Sequence, residues 1–307
     1  VLESMVGAVE LGLLYALMAL GVYITFRILD FPDLTVDGSF TTGGAVAAIM
    51  ITHGSSPLLA TICAFLCGLA AGACTGLLHA KGKINGLLAG ILMMITLYSI
   101  NLRIMGKPNV SLLNTDTVLS AIADNEWAYV PVLLALALAV KLALDWFLHT
   151  DAGMALRATG DNARMIRSFG ANTDTTKIIG VSLSNGLVAL SGALIAQDSG
   201  FADISAGVGT IVLGLASVII GEAIFGSRNV FRATLAALLG AVAYRIIYSL
   251  ALRVELLDAS DLKMMTALIV VAALVVPTLR RSMKQKALAR KRTQELAGAS
   301  SNRGGRS

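Results

Sequence analysis

The chain has 307 residues, of which 56% are hydrophobic and 14% charged, with a formal net charge of +5. A soluble domain carries roughly 25% charged residues, so a soluble enzyme, a disordered chain and a nucleic-acid-binding domain are excluded. Apolar runs of about 20 residues recur, as in a polytopic α-helical membrane protein, and the short alternating segments of a β-barrel are missing.

Nine hydrophobic spans are expected near 5–27, 39–52, 57–79, 84–105, 129–149, 177–197, 209–226, 230–250 and 262–279. The first lacks a basic leader region and reads as a membrane span. The second is short, rich in Gly and Ala, and polar at its start, as a broken or tilted helix would be. The third carries a small-residue ladder, Ala60, Ala64, Gly68, Gly72, Gly76 and Ala80, that lets another backbone approach closely. Gly68, Gly72 and Gly76 can serve a helix of the same chain or a second copy. Cys63, Cys67 and Cys74 share this span and read as small packing residues.

The loop at 150–176 is amphipathic. Ala155, Ala158, Ala163 and Ile166 can pack inward while Arg157, Asp161, Arg164 and Arg167 stay solvated, with Gly170 and Asn172 as a helix stop. One or two short helices against the membrane face are predicted. After the last span, residues 280–307 hold nine Lys/Arg against Glu295. With this tail inside, 18 of the 24 Lys+Arg fall in inside segments and four in outside ones. That asymmetry places the C-terminus in the cytoplasm.

Two polar interruptions, 31–40 and 198–207, contain Asp33-Leu34-Thr35 and Asp203-Ile204-Ser205. On this topology they lie on opposite sides, the trace of an inverted repeat. Pro32 breaks the helix and Asp33 can cap the next one. Thr35, Asp37, Ser39 and Thr41 are therefore expected to face a polar route near its cytoplasmic side. Asn85, Asn101 and Asn185 are neutral groups that can touch a passing solute or tie helix to helix.

No catalytic constellation is present. The three histidines lie in different loops without metal-ligand spacing. Gly82-Lys83 is not a P-loop, because Ile84 follows and position 77 is Leu. Lys141 and Asp145 are spaced to pair with each other within one span.

The run GLLYALMALGVYITFRILDFPDLTVDGSFTTGGAVAA (12–48) resembles the start of ABC-importer permeases of the branched-chain amino acid and ribose type, most nearly the tryptophan/tyrosine-type subgroup. KGKINGLLAGILMMITLYSINLRIMGKPNVSLL (81–113) and ALRATGDNARMIRSFGANTDTTKIIGVSLSNGLVALSGALIAQ (155–197) are similar to the same subgroup. The resemblance implies an all-α permease domain over 1–279, in two inverted-topology halves like those of type II importers. It also implies a basic cytoplasmic tail over 280–307 and a bacterial cytoplasmic (inner) membrane location. The chain itself would bind no cofactor and catalyse nothing. ATP and Mg would sit on a partner ATPase dimer, and a periplasmic or lipid-anchored binding protein would deliver the solute. A second permease copy would complete the path, since one pair of halves needs a two-fold mate. Residues 151–176 would be the coupling segment, with Arg157, Asp161, Asn162, Arg164, Arg167, Gly170, Asn172 and Asp174 meeting the ATPase. Glu222 departs from the family, in Gly221-Glu222 where many relatives carry Gly-Gly. A secondary carrier with inverted repeats is the competing reading.

Overall fold

In a computed structural model, residues 2–113, 115–120 and 126–251 are described, with 267, 268, 271 and 275. The expected span 262–279 and the tail 280–307 otherwise lie outside the described residues.

Helix α1 (Leu2–Val22) runs straight into a π-helical turn (Tyr23–Ile28). Asp30 follows in the left-handed region, at φ 50°, a conformation that Asp tolerates better than most residues. Pro32 cannot donate to a helix, and the chain re-enters helix only at α2 (Thr35–Thr52). Helices α3 (Pro57–Ala80) and α4 (Gly86–Met105) follow, then strand β1 (Asn109–Ser111) and helices α5 (Glu126–His149) and α6 (Asp151–Ser168). Helix α7 (Thr173–Ser199), strand β2 (Phe201–Asp203), and helices α8 (Thr210–Phe225) and α9 (Val230–Ala251) follow.

Eight of the nine expected spans coincide with α1–α5 and α7–α9. Among the described residues, six helices (α1 with its π turn, α3, α4, α5, α7 and α9) are long and apolar enough to cross a membrane. Helix α8 is apolar but has 16 residues, and α2 carries Asp37 in its first turn. Both begin late because each follows an interruption. Gly38 of α2 packs on Met94 and Leu97, midway along α4.

The two halves pack in matching pairs. Helix α3 lies along α7 as α9 lies along α1, and α2 packs on α3 as α8 packs on α9. Helix α7 is the axis of the molecule, in contact with α1, α2, α3 and α6. The glycine ladder explains the closest of these contacts. A Cβ at Gly68 would meet Ala189, one at Gly72 the Val181 carbonyl, and one at Gly76 the Ile178 backbone. All three therefore pack within this chain.

The sequence held no sign of strands, but β1 and β2 pair antiparallel, with Asn109 opposite Asp203 and Ser111 opposite Phe201. Val110 and Ala202 are buried beneath them against Ala45, Ala48 and Ala196. Helix α6 is kinked at Asn162, at φ −158° and ψ 88°, so it is two short helices. The inward face also differs from expectation. Gly153, Leu156 and Thr159 are buried, whereas Ala155, Ala158, Ala163 and Ile166 are half-buried.

Gly72→Leu should break the α3–α7 seam, because overpacking costs about 1–3 kcal/mol even where neighbours can move and here the neighbour is backbone. Gly7→Leu is the control, since a Cβ there meets nothing. The expected result is a lowered thermal unfolding midpoint in detergent for the first variant alone. Equal midpoints would contradict the seam.

Candidate functional site

Asp33 is fully buried. Its Oδ2 accepts a hydrogen bond from Asn185 Nδ2 at 2.7 Å, and its Oδ1 accepts from the Thr35 backbone N–H at 2.9 Å. Asn185 lies midway along α7, and its Oδ1 accepts from Ser39 Oγ at 2.7 Å. The Thr35 and Thr75 hydroxyls meet at 2.8 Å. One polar node therefore ties the start of α2 to α3 and α7.

Asp37 reaches the other interruption. Its two carboxylate oxygens accept from the N–H of Gly209 at 2.9 Å, the N–H of Ile211 at 2.8 Å and the Thr210 hydroxyl at 3.0 Å. These are the first groups of α8, which lacks a capping side chain of its own. An acceptor with negative charge at that end satisfies free N–H groups and faces the positive helix end. Thr41 Oγ1 accepts from the Gly207 N–H at 3.1 Å and completes the grip.

The two repeated motifs fold alike. Asp33 accepts from the N–H of Thr35, and Asp203 accepts from the N–H of Ser205 at 2.7 Å. Each is an Asx turn that leads the chain out of an interruption. The second copy is half-exposed, and the Ser205 hydroxyl holds the Asp203 carboxyl below the usual carboxylate range.

The other residues singled out in the sequence are placed separately. Asn101 is buried and donates to the Gly38 carbonyl at 3.3 Å, beside the node. Asn85 is exposed and caps α4, accepting from the Leu87 N–H at 3.0 Å. Asn162 caps the second half of α6 through Met165 N–H at 3.1 Å, and Asn172 caps α7 through Asp174 and Thr175. Gly170 turns the chain between them at φ 85°. Arg157, Asp161, Arg164 and Arg167 are exposed, as expected. Arg167, however, donates to Thr173 Oγ1 at 2.7 Å and lies 3.8 Å from Asp174. Phe169, at the tip, is 79% exposed.

Glu222 pairs with Arg27, with two contacts of 2.8 Å between guanidinium and carboxylate. The preceding Gly221 packs on the Ala236 carbonyl and Gly240. Glu222 thus binds the π turn to α8, and Gly221 keeps the α8–α9 contact close.

At the end of the bundle that carries β2, a cavity of about 230 Å³ lies among α1, α2, α7 and β2. Tyr15, Phe40 and Phe201 supply rings to its lining, and Thr41 and Asp203 supply polar groups. The Tyr15 and Phe40 rings stack at 5.9 Å, and the Arg245 guanidinium stands 3.9 Å over Tyr15. Among the described residues, no group of three or more His, Cys, Asp or Glu is placed to hold a metal ion.

The family model for the branched-chain amino acid transport system permease component matches residues 4–277. The chain belongs to this family. The permease is 43% identical over 284 residues to the tyrosine transport system permease protein of Clostridioides difficile (strain R20291), covering 92% of this chain and 95% of that one. It is 31% identical over 181 residues to the ribose import permease protein of Escherichia coli (strain K12), covering 57% and 55%. No solved structure matches. The permease is thus a multi-pass membrane protein of a transport system.

Sequence reasoning missed the Asp37 grip on α8, because the partners are more than 170 residues apart. The one available signal was a carboxylate two residues past a helix start, where no ion partner was in sight.

Asp37→Ala should leave two backbone donors unmet inside the membrane, a loss on the order of 3 kcal/mol. Hydrogen exchange at 207–213 should accelerate while the middle of α3 is unchanged. Unaltered exchange across 207–213 would remove Asp37 as the cap.

Proposed function

We propose that this permease is the membrane-spanning subunit of an ATP-driven importer working by alternating access. The observation that carries this reading is the family match across almost the whole chain. Ordered α6 adds support. It is a kinked, largely exposed helix pair between the two halves, suited to docking in a groove of a cytoplasmic ATPase. ATP and Mg belong to that ATPase dimer, as no P-loop is present in this sequence.

Among Arg157, Asp161, Asn162, Arg164, Arg167, Gly170, Asn172 and Asp174, the roles divide. Asn162, Gly170 and Asn172 shape the segment, and Arg167 and Asp174 brace it. Arg164 and Phe169 are exposed and offer a cation and a ring to the partner. A second permease copy and a solute-binding protein complete the assembly, in the bacterial cytoplasmic membrane with the C-terminus inside.

The solute is a small polar molecule, and two features favour an aromatic amino acid. One is the name of the Clostridioides difficile relative. The other is the cavity beside β2, where aromatic faces stand near a carboxylate suited to an ammonium group. The node of Asp33, Thr35, Ser39 and Asn185 then lies below that cavity as the floor of the route, with Asp37, Thr41 and Asn101 beside it. Asn85 stands at the cytoplasmic mouth.

The test is uptake into proteoliposomes holding the permease, its ATPase and its binding protein. Uptake should require ATP, and tyrosine or tryptophan should compete where ribose does not. Arg164→Glu should cut uptake about tenfold or more, since like charges across an interface cost several kcal/mol. Uptake by the permease alone, driven by an ion gradient, would overturn the proposal.

A further inference from the structure

At the cytoplasmic end, a cavity of about 520 Å³ opens between elements that are distant in sequence. Tyr23 and Arg27 come from the π turn, His149 from the end of α5, Arg157 and Asp161 from α6, and Arg228 from the α8–α9 turn. Three guanidinium groups face one lining carboxylate. Arg27 spends Nε and Nη2 on Glu222, and this pairing leaves Nη1 unused. The His149 Nδ1 is 2.6 Å from the Asp145 carbonyl, which can only accept, so Nε2 is the ring atom left for the cavity.

The first turn of α9 forms another wall, through Asn229, Val230 and Phe231. The first intrahelical bond of α9 runs from Ala233 N–H to Asn229 O. The N–H groups before it have no helical acceptor and carry the positive end of a 22-residue helix. The cavity thus combines three cations, helix-end donors and a phenol. Greasy surface adjoins it. Phe231 is 51% exposed, and Ile224 and Phe225, at the end of α8, are 60% and 47% exposed.

We propose that this cavity binds the phosphate of an anionic phospholipid from the cytoplasmic leaflet. A phosphate accepts from several guanidinium groups at once. Basic pockets at the cytoplasmic side of helix bundles recruit acidic headgroups. The exposed Ile224, Phe225 and Phe231 suit the acyl chains that come with such a headgroup and do not suit a free ion. A lipid seated there joins α6 to the π turn of the first half and to the α8–α9 turn of the second.

The experiment is native mass spectrometry of the full-length permease, titrated with phosphatidylglycerol or phosphatidylcholine. Phosphatidylglycerol should bind about tenfold or more tightly. Arg157→Gln with Arg228→Gln should remove that preference and leave phosphatidylcholine adducts unchanged. The matching Arg→Lys pair should restore most of it. Inorganic phosphate that displaces phosphatidylglycerol at comparable concentration would make the free anion the occupant and overturn the lipid. Equal binding of the two lipids by the unaltered protein, or a preference that survives the Gln pair in folded protein, would overturn the site itself.

Discussion

A helix interrupted inside a bilayer exposes backbone N–H groups that lipid cannot satisfy. Among the described residues the chain breaks between α1 and α2 and between α7 and α8, and aspartates meet the demand. Asp33 accepts from the residue that restarts α2, and Asp37 accepts from the residues that start α8. A buried charge is tolerable only when it is hydrogen-bonded, so Asn185, Thr35 and Thr210 must stand where they do. Their positions in turn fix how α2 meets α7 and where α8 begins. The two halves of the repeat are joined through hydrogen bonds to two carboxylates set four residues apart.

Close backbone approach makes that geometry possible. Asn185 on α7 reaches Asp33, just ahead of α2, because α3 presents glycines to α7. The same logic appears along α1. The Ser184 and Ser191 hydroxyls of α7 donate to the carbonyls of Gly21 and Leu14 at 2.7 and 2.8 Å. Small residues thus perform two tasks. They maximise van der Waals contact, which drives helix association in lipid, and they bring polar groups within hydrogen-bonding reach.

The hydropathy pattern placed α1–α5 and α7–α9 because a membrane span needs length and apolarity, which are local properties. The ladder at Gly68, Gly72 and Gly76 was equally legible, although its partner helix was not. The similar Asp33 and Asp203 motifs were visible in the sequence, and their shared turn has a local cause. Asp37 was legible only as a polar residue near a break. Its role depends on Gly209–Ile211, and no pattern within a window of the chain connects the two. Asn85 was read with the polar residues near the route, yet its side chain caps its own helix. A single Asn does not reveal whether it serves the backbone or a solute. The strands β1 and β2 are three residues each, too short for any alternation to register.

The placement of charge within the bundle bears on how work enters it. Lys141 and Asp145 are both buried and 2.5 Å apart. Asp145 also accepts from Thr234 at 2.7 Å, and the Lys141 ammonium lies 3.1 Å from the centre of the Phe231 ring. Removing one member of such a pair strands the other, at a cost of about 3–5 kcal/mol. Asp33 and Asp37 are held by backbone and side-chain donors at helix starts, and Glu222 is held by Arg27. A carrier driven by protons needs a carboxylate that exchanges partners as it loads and unloads. The carboxylates named here are each committed to a fixed structural bond. Exchanging the partner of any of these four would unfix a helix start or a contact between helices, so they serve the architecture of the bundle.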